Sequence, residues 1–264
     1  QFNDMSKVYN IDERVIERTA QWLKSQQEKN GSWTPDKQYL HAESWGRIQH
    51  NEILPTAYIV WALAEIGHKE GSAQKGLDYL KGKWNKIDDA YILALVANAF
   101  VAMESKSEIT IKVLRKLIDM AKEDNNALYW ESDIPSITLT KGKGADIEAS
   151  GLATYALVKS GKFSDATTKA LTYLIRAKDA SGMWYTTRGT IIALRALIGA
   201  LGGMSEDINA TVLVMHNGKK VSEIKVDKNN ADVMQQIDLN ENLKNENTVE
   251  IQLKGEGNFL YEIT

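Results

Sequence analysis

The chain has 264 residues, with 32 Lys and Arg against 35 Asp and Glu, 43% hydrophobic residues and no cysteine. This length suits one large or two ordinary domains and buries enough surface to need no disulfide or metal staple. A net charge of −3 with both signs interspersed excludes a polycation for nucleic acid, and the missing cysteines exclude disulfides, thiolate metal sites and a cysteine nucleophile within these residues. No apolar run reaches the roughly 18 residues of a membrane span. The start, Gln1-Phe2-Asn3, is neither Met nor a charged-then-apolar leader, so the chain is expected to be a piece of a longer polypeptide.

In chain order, residues 11–27 read first as an amphipathic helix, with Asn10 as cap, Glu13 three residues on, and Val15, Ile16, Thr19, Trp22 and Leu23 in one stripe. Residues 54–66 differ: Pro55 opens a helix that is apolar all round, and Gly67 stops it. The stretch 72–83 is amphipathic again, and 89–103 is apolar all round. Residues 107–123 are amphipathic, 146–159 mostly apolar, 165–178 amphipathic and 188–201 apolar. Gly202-Gly203-Met204-Ser205 is a breaker cluster that divides the chain near residue 204. From 208 onward the apolar period is two: Val212/Val214, the Asn217-Gly218 hairpin signal, Val221/Ile224/Val226, Val233/Ile237/Leu239, Val249/Ile251/Leu253 and Leu260/Ile263.

A helix apolar on every side needs neighbours on every side, whereas a half-polar one needs a single covered face. Eight helices that alternate between the two kinds predict two concentric layers. The fold class is therefore mainly α, an α/α toroid over residues 1–203, followed by a small antiparallel β-sandwich portion over 204–264. An irregular α bundle is the alternative. A weak internal repeat supports the toroid: Gln21-Trp22-Leu23 … Asn30-Gly31-Ser32-Trp33 echoes Thr172-Tyr173-Leu174 … Ser181-Gly182-Met183-Trp184. Five short strands make about half a sandwich and expect partner strands from elsewhere in a longer chain.

Four histidines are available: His41, His50, His68 and His216. None is spaced with a carboxylate as a metalloprotease helix requires, and no metal-ligand cluster or cofactor motif occurs. His68 comes after a helix stop and His216 leads a hairpin turn, so both are expected in solvent. His41 and His50 lie in a long connecting segment, 34–53, that is aromatic for a loop, with Tyr39 and Trp45 beside His41. Read alone, His41 is either functional or a surface histidine. Asp88-Asp89 offers a carboxylate pair, but a helix cap explains it, with Asp88 preceding the helix. Glu148, at the start of an apolar helix, reads the same way. Lys141-Gly142-Lys143-Gly144 is too short for a phosphate loop, and Ser136 to Thr140 suggests a small β-excursion.

Four stretches carry a family resemblance. Asn30-Gly31-Ser32-Trp33 … Tyr39-Leu40-His41-Ala42-Glu43 resembles the segment of the α2-macroglobulin/complement thioester domain that holds its catalytic histidine. Leu54-Pro55-Thr56-Ala57-Tyr58 resembles the helix that comes next in that family. Asp146-Ile147-Glu148-Ala149-Ser150-Gly151-Leu152-Ala153-Thr154-Tyr155 and Gly182-Met183-Trp184-Tyr185-Thr186-Thr187-Arg188-Gly189-Thr190 resemble two further family elements, the last being the most specific. The tail resembles the second half of the family's CUB-type β domain. The family toroid has six helix hairpins against four here, and residues 1–9 would finish a preceding helix.

The resemblance implies a role in covalent capture and protease trapping. A Cys-x-Glu-Gln thioester, absent from these residues, would lie upstream of Gln1. His41 would attack its acyl group, with Tyr39 and Glu43 as orienting neighbours. The implied partners are target proteases or surface hydroxyls and the remaining domains of the parent chain. The implied location is extracellular or periplasmic, and no cofactor, nucleic acid or membrane span is implied. The chemistry is single-use acyl transfer rather than turnover. Gln27-x-x-x-Gly31-x-Trp33 also fits the repeat of terpene cyclases, but no Asp-x-Asp-Asp motif accompanies it and the second copy has Lys178 in place of Gln. A third reading is a structural scaffold without a thioester.

Overall fold

The apolar segment 89–103 forms a helix with buried residues on every side, whereas the apolar segment 188–201 forms a helix that leaves Ile191, Leu194, Ile198 and Leu201 exposed. The structure is a computed structural model that describes residues 2–6, 9–35, 52–136, 139–202, 209–227, 230, 235–240 and 243–256. It divides into two compact units, Gln1–Leu197 and Ile198–Thr264. The chain is mainly α with a small antiparallel β portion, as the two periodicities predict.

In the first unit, α1 is one turn (Phe2–Met5) and α2 spans Glu13–Ser25. Then come α3 (Ile53–Glu65), α4 (Ser72–Lys81), α5 (Ala90–Glu104) and α6 (Glu108–Asp119). They are succeeded by α7 (Lys143–Ser160), α8 (Ser164–Arg176) and α9 (Thr187–Gly202), the last running past Leu197. Helix α5 packs between α3 and α7 and buries every residue from Ala90 to Val101. Helices α4, α6 and α8 back α3, α5 and α7 in turn. Each of these outer helices buries a single stripe, such as Val113, Leu114 and Leu117 on α6. Within the inner layer, the buried Asn98 donates to Ala94 O on its own helix at 2.8 Å and to Leu152 O on α7 at 2.9 Å.

A tryptophan closes three of the helix hairpins in the same way. The indole Nε1 of Trp33 donates to Leu23 O at 2.7 Å, that of Trp130 to Leu117 O at 2.6 Å, and that of Trp184 to Leu174 O at 2.7 Å. Each acceptor is the third residue from the end of an outer-type helix, where the regular i→i+4 ladder runs out. The backbone N–H of each tryptophan donates to a hydroxyl of a later inner helix: Thr56 at 2.9 Å, Ser150 at 2.9 Å and Thr190 at 3.0 Å. The repeat read from the sequence thus has a third copy at Trp130. Its spacing differs because a hairpin intervenes, β1 (Lys122–Asp124) with β2 (Ala127–Tyr129).

That hairpin corrects the expected helix over 107–123. The helix ends at Asp119, and Asn125 and Asn126, both at positive φ, turn the chain back. Asp12, not Asn10, caps α2 by accepting from Arg14 N at 3.0 Å, and Asp89, not Asp88, caps α5 by accepting from Ile92 N at 3.1 Å. Past α4 the chain tightens into a short 3₁₀ turn, Trp84–Lys86. At the expected β-excursion, Ser136 N–H donates to Thr140 O and Leu139 N–H to Ser136 O, and no strand occurs there among the described residues.

In the second unit, β3 (Asn209–His216) is central, flanked antiparallel by β4 (Lys219–Asp227) and β5 (Val249–Glu256). Asn217-Gly218 turns β3 into β4 with both residues at positive φ. Three of the five expected strands occur among the described residues. Residues 235–240 are not strand, because they make no ladder pairing, and Val233, Leu260 and Ile263 lie outside the described residues. His216 is buried at 6% exposure, not in solvent: strand alternation turns it to the same face as Ala210, Val212 and Val214.

Candidate functional site

The residues singled out for chemistry, His41 with Tyr39 and Glu43, lie outside the described residues, as do Trp45 and His50. The described residues on either side of segment 36–51 are held together. Trp33 is bound to Thr56 in the first turn of α3. One residue earlier, Ser32 Oγ lies 3.1 Å from Glu52 Oε2, and Tyr79 of α4 donates its hydroxyl to the same oxygen at 2.9 Å. Burial, with the hydrogen bond to Glu52 second, pushes the Tyr79 phenol up to about 12. The phenol therefore stays protonated and serves as a donor.

The N-terminal ends of α5, α7 and α9 are joined by polar contacts. Ser132 joins two of them: its N–H donates to Asp146 Oδ1 in the first turn of α7 at 3.0 Å, and its Oγ lies 3.0 Å from Asp89 Oδ2, the cap of α5. Burial is the main cause that raises the Asp146 carboxyl above its ordinary value. Glu148 is not a helix cap. It lies in the second turn, because α7 starts three residues earlier than the apolar run, and it is fully buried. Its Oε2 sits 3.2 Å from Arg188 Nε in the first turn of α9. The Arg188 guanidinium lies over the Tyr58 ring of α3, 5.4 Å from its centroid. Deeper along α3, Arg195 reaches Glu65 at 2.8 Å and lies over both Trp61 and Tyr155 at 5.0 and 4.8 Å.

His68 lies elsewhere, on a shallow cleft of about 460 Å³ beside Glu13, Glu17 and Ile66. It is half-buried rather than in solvent, since its Nε2 pairs with Glu17 Oε2 at 3.3 Å across α2. Among the described residues, no three His, Cys, Asp or Glu side chains are grouped to hold a metal ion. No helix among them is long and apolar enough to cross a membrane. Sequence reasoning missed Glu52, Tyr58, Tyr79 and Arg188. The available signal was Arg188 just inside an apolar helix, where a lone cation needs a buried carboxylate, and Glu148 supplies it.

Residues 1–199 match the A-macroglobulin TED domain. The chain belongs to this family. Thioester-containing protein 1 allele R1 of Anopheles gambiae is 26% identical over 263 residues, which is 97% of this chain and 18% of that protein. Allele S1 of the same protein is 25% identical over 260 residues, 96% of this chain and 18% of its own length. Complement C3 of Eptatretus burgeri is 24% identical over 226 residues, 81% of this chain and 13% of that protein. The TED chain thus spans less than a fifth of these relatives.

Proposed function

We propose that these residues are the histidine side of a thioester acyl-transfer module that captures its target covalently, once per molecule. The match to the A-macroglobulin TED domain over residues 1–199 carries the reading, with His41 as its reactive residue. The 264 residues hold no cysteine, so the Cys-x-Glu-Gln thioester would come from other residues of the parent. One ring nitrogen of neutral His41 attacks the acyl carbon; the C–S bond breaks and its electron pair stays on sulfur, giving an acyl-imidazolium and a thiolate. The thiolate takes the proton of an acceptor hydroxyl as that oxygen attacks the acyl carbon, and neutral imidazole departs. The products are an ester, a thiol and His41 as it began. Tyr39 and Glu43 orient the imidazole.

In this reading residues 1–203 form an α/α toroid and 204–264 contribute half of a CUB-like sandwich. The parent acts in defence outside the cell or in the periplasm, on proteases or surface hydroxyls, alongside its other domains. Treating the full-length protein with methylamine and titrating thiols tests the reading. Release of a thiol with methylamine fixed to a glutamine is expected, and so is loss of ester formation with glycerol in His41→Ala. No thiol release overturns it and leaves a scaffold. Turnover of an isoprenoid diphosphate would instead make the chain a terpene-cyclase-like enzyme.

A further inference from the structure

Two Asn-x-Ser/Thr triplets occur in the 264 residues, Asn30-Gly31-Ser32 and Asn209-Ala210-Thr211. Such a triplet is the acceptor signal for an N-linked glycan in an exported chain, and its asparagine must stand on the surface once the chain has folded. Both asparagines are exposed. The two triplets differ in the shape of the backbone between the asparagine and the hydroxyl.

Asn30 lies in the turn that leads from α2 to Trp33. Its Oδ1 accepts Ser32 N–H at 3.0 Å and lies 2.8 Å from Ser32 Oγ, so the side chain closes a turn over Gly31, which is at φ 89°. These bonds are made within three consecutive residues, and the glycine takes positive φ without a steric cost, so the turn is open to the unfolded chain as well. Asn30 Nδ2 makes no hydrogen bond among the described residues. Replacing one of its hydrogens with a sugar therefore removes no bond from the fold.

At Asn209 the triplet is extended. Asn209 is the first residue of β3 and is paired with Asp227 of β4 and Glu256 of β5. At about 3.4 Å per residue, Thr211 stands about 7 Å further along the strand.

We propose that Asn30 is the acceptor of an N-linked glycan. The inference rests on the reading above that the parent acts outside the cell or in the periplasm. A transferase has to hold the asparagine amide and the hydroxyl two residues on in one site, so the acceptor chain must turn between them. The Asn30 triplet carries that turn in its own local bonds, whereas the Asn209 triplet has a β-branched Thr211 that favours extended backbone. The co-reactant is a lipid-diphosphate-linked oligosaccharide. Asn30 Nδ2 attacks its anomeric carbon; the bond from that carbon to the diphosphate oxygen breaks, and the electron pair leaves with the lipid diphosphate. Nδ2 gives up one proton and keeps the other. Ser32 is fully buried in the folded chain, so the transfer precedes the folding of this hairpin.

The test follows the full-length protein made in eukaryotic cells, in both cells and medium. Peptide N-glycosidase in oxygen-18 water turns a glycosylated asparagine into a labelled aspartate and leaves a bare asparagine unlabelled. Label at Asn30 in most of the secreted molecules is expected. Asn30→Asp should abolish that label while keeping an oxygen to accept from Ser32, so the thiol released by methylamine should equal that of the parent protein. Asn209→Asp should leave the label at Asn30 unchanged. A secreted protein that is unlabelled at Asn30, or labelled at Asn209 alone, overturns the proposal and leaves the extracellular reading standing. A protein that stays in the cytosol overturns both.

Discussion

The turn at Trp33 and the turn at Trp184 are built from the same parts and differ in the length of chain between tryptophan and inner helix. Both tryptophans are 2% exposed, both cap the third-from-last carbonyl of an outer-type helix, and both N–H groups are held by a threonine. Both are preceded by a glycine at positive φ, Gly31 at 89° and Gly182 at 75°. Only Gly31 is also pressed against a neighbour: a Cβ there would meet Lys75 O at 2.5 Å, whereas Gly182 faces open space. After Trp184 the inner helix begins three residues later, at Thr187; after Trp33 it begins at Ile53. The staple thus does not need the long segment. At the entry to α3, Tyr79 donates to Glu52 at 2.9 Å, and no tyrosine–carboxylate bond occurs at the entry to α9 among the described residues.

The largest effect should fall on the shared part. Replacing Trp33 or Trp184 with Ala empties a buried indole site and removes a hydrogen bond to a helix carbonyl, so each should cost about 3–5 kcal/mol in urea unfolding. Similar losses in the two variants support one repeated device. A loss confined to one of them breaks the comparison. Next come the threonines. Thr56→Val and Thr190→Val leave the tryptophan N–H unpaired, at about 1–3 kcal/mol each. Thr56 is fully buried and Thr190 half-buried, so the Thr56 variant should sit at the upper end of that range. The reverse order would mean that water does not relieve the Trp184 turn.

Most of this architecture is written in periodicity. Helices α3 and α5 announce themselves as apolar on every side because inner helices have no polar face to show. The same logic hides the β1–β2 hairpin: Leu114, Leu117, Ile118 and Ala121 keep the helical period, and it does not show that the helix stops at Asp119. With the hairpin unseen, Trp130 stands at the wrong spacing to join the repeat. Glu148 resembles a cap only if the helix starts at the first apolar residues, whereas Gly142 at positive φ starts it earlier. His41 with Tyr39 and Glu43 is an expectation from the family resemblance, and these residues lie outside the described ones. Glu52 and Tyr79 are not legible. They stand 27 residues apart and meet only once α4 is folded onto α3.

A smaller effect separates the two turns more directly. Gln27 donates to Gly31 O at 2.9 Å and to Ser72 O at 2.8 Å, and the second copy has Lys178 at that place. Importing the second copy's residue, Gln27→Lys, removes both bonds and should cost about 1–2 kcal/mol, the lower part of the range for two part-buried hydrogen bonds at about 0.5–1.5 kcal/mol each. Lys178→Gln should leave the unfolding midpoint where it is. A neutral Gln27→Lys would mean that the hairpin at Trp33 is held by its tryptophan alone.

The smallest effect is a dependence on alkaline pH. Burial and Glu52 raise the Tyr79 phenol from 10.0 to about 12, and burial followed by the charge of Asp146 raises Tyr173 of α8 to about 12. In each case the folded chain keeps its proton to higher pH than the unfolded chain does. The stability they contribute is therefore fully present below about pH 10 and is lost as pH rises toward about 12. Tyr79→Phe removes one of the two titrations. The gap in unfolding midpoint between the parent and Tyr79→Phe should be constant below pH 10 and shift against the parent between about pH 10 and 12. Tyr173→Phe should show the same window from the other hairpin. A Tyr79→Phe gap that does not change across this window would mean that the Tyr79 hydroxyl is not held by Glu52, and the Trp33 turn would lose that link to α4.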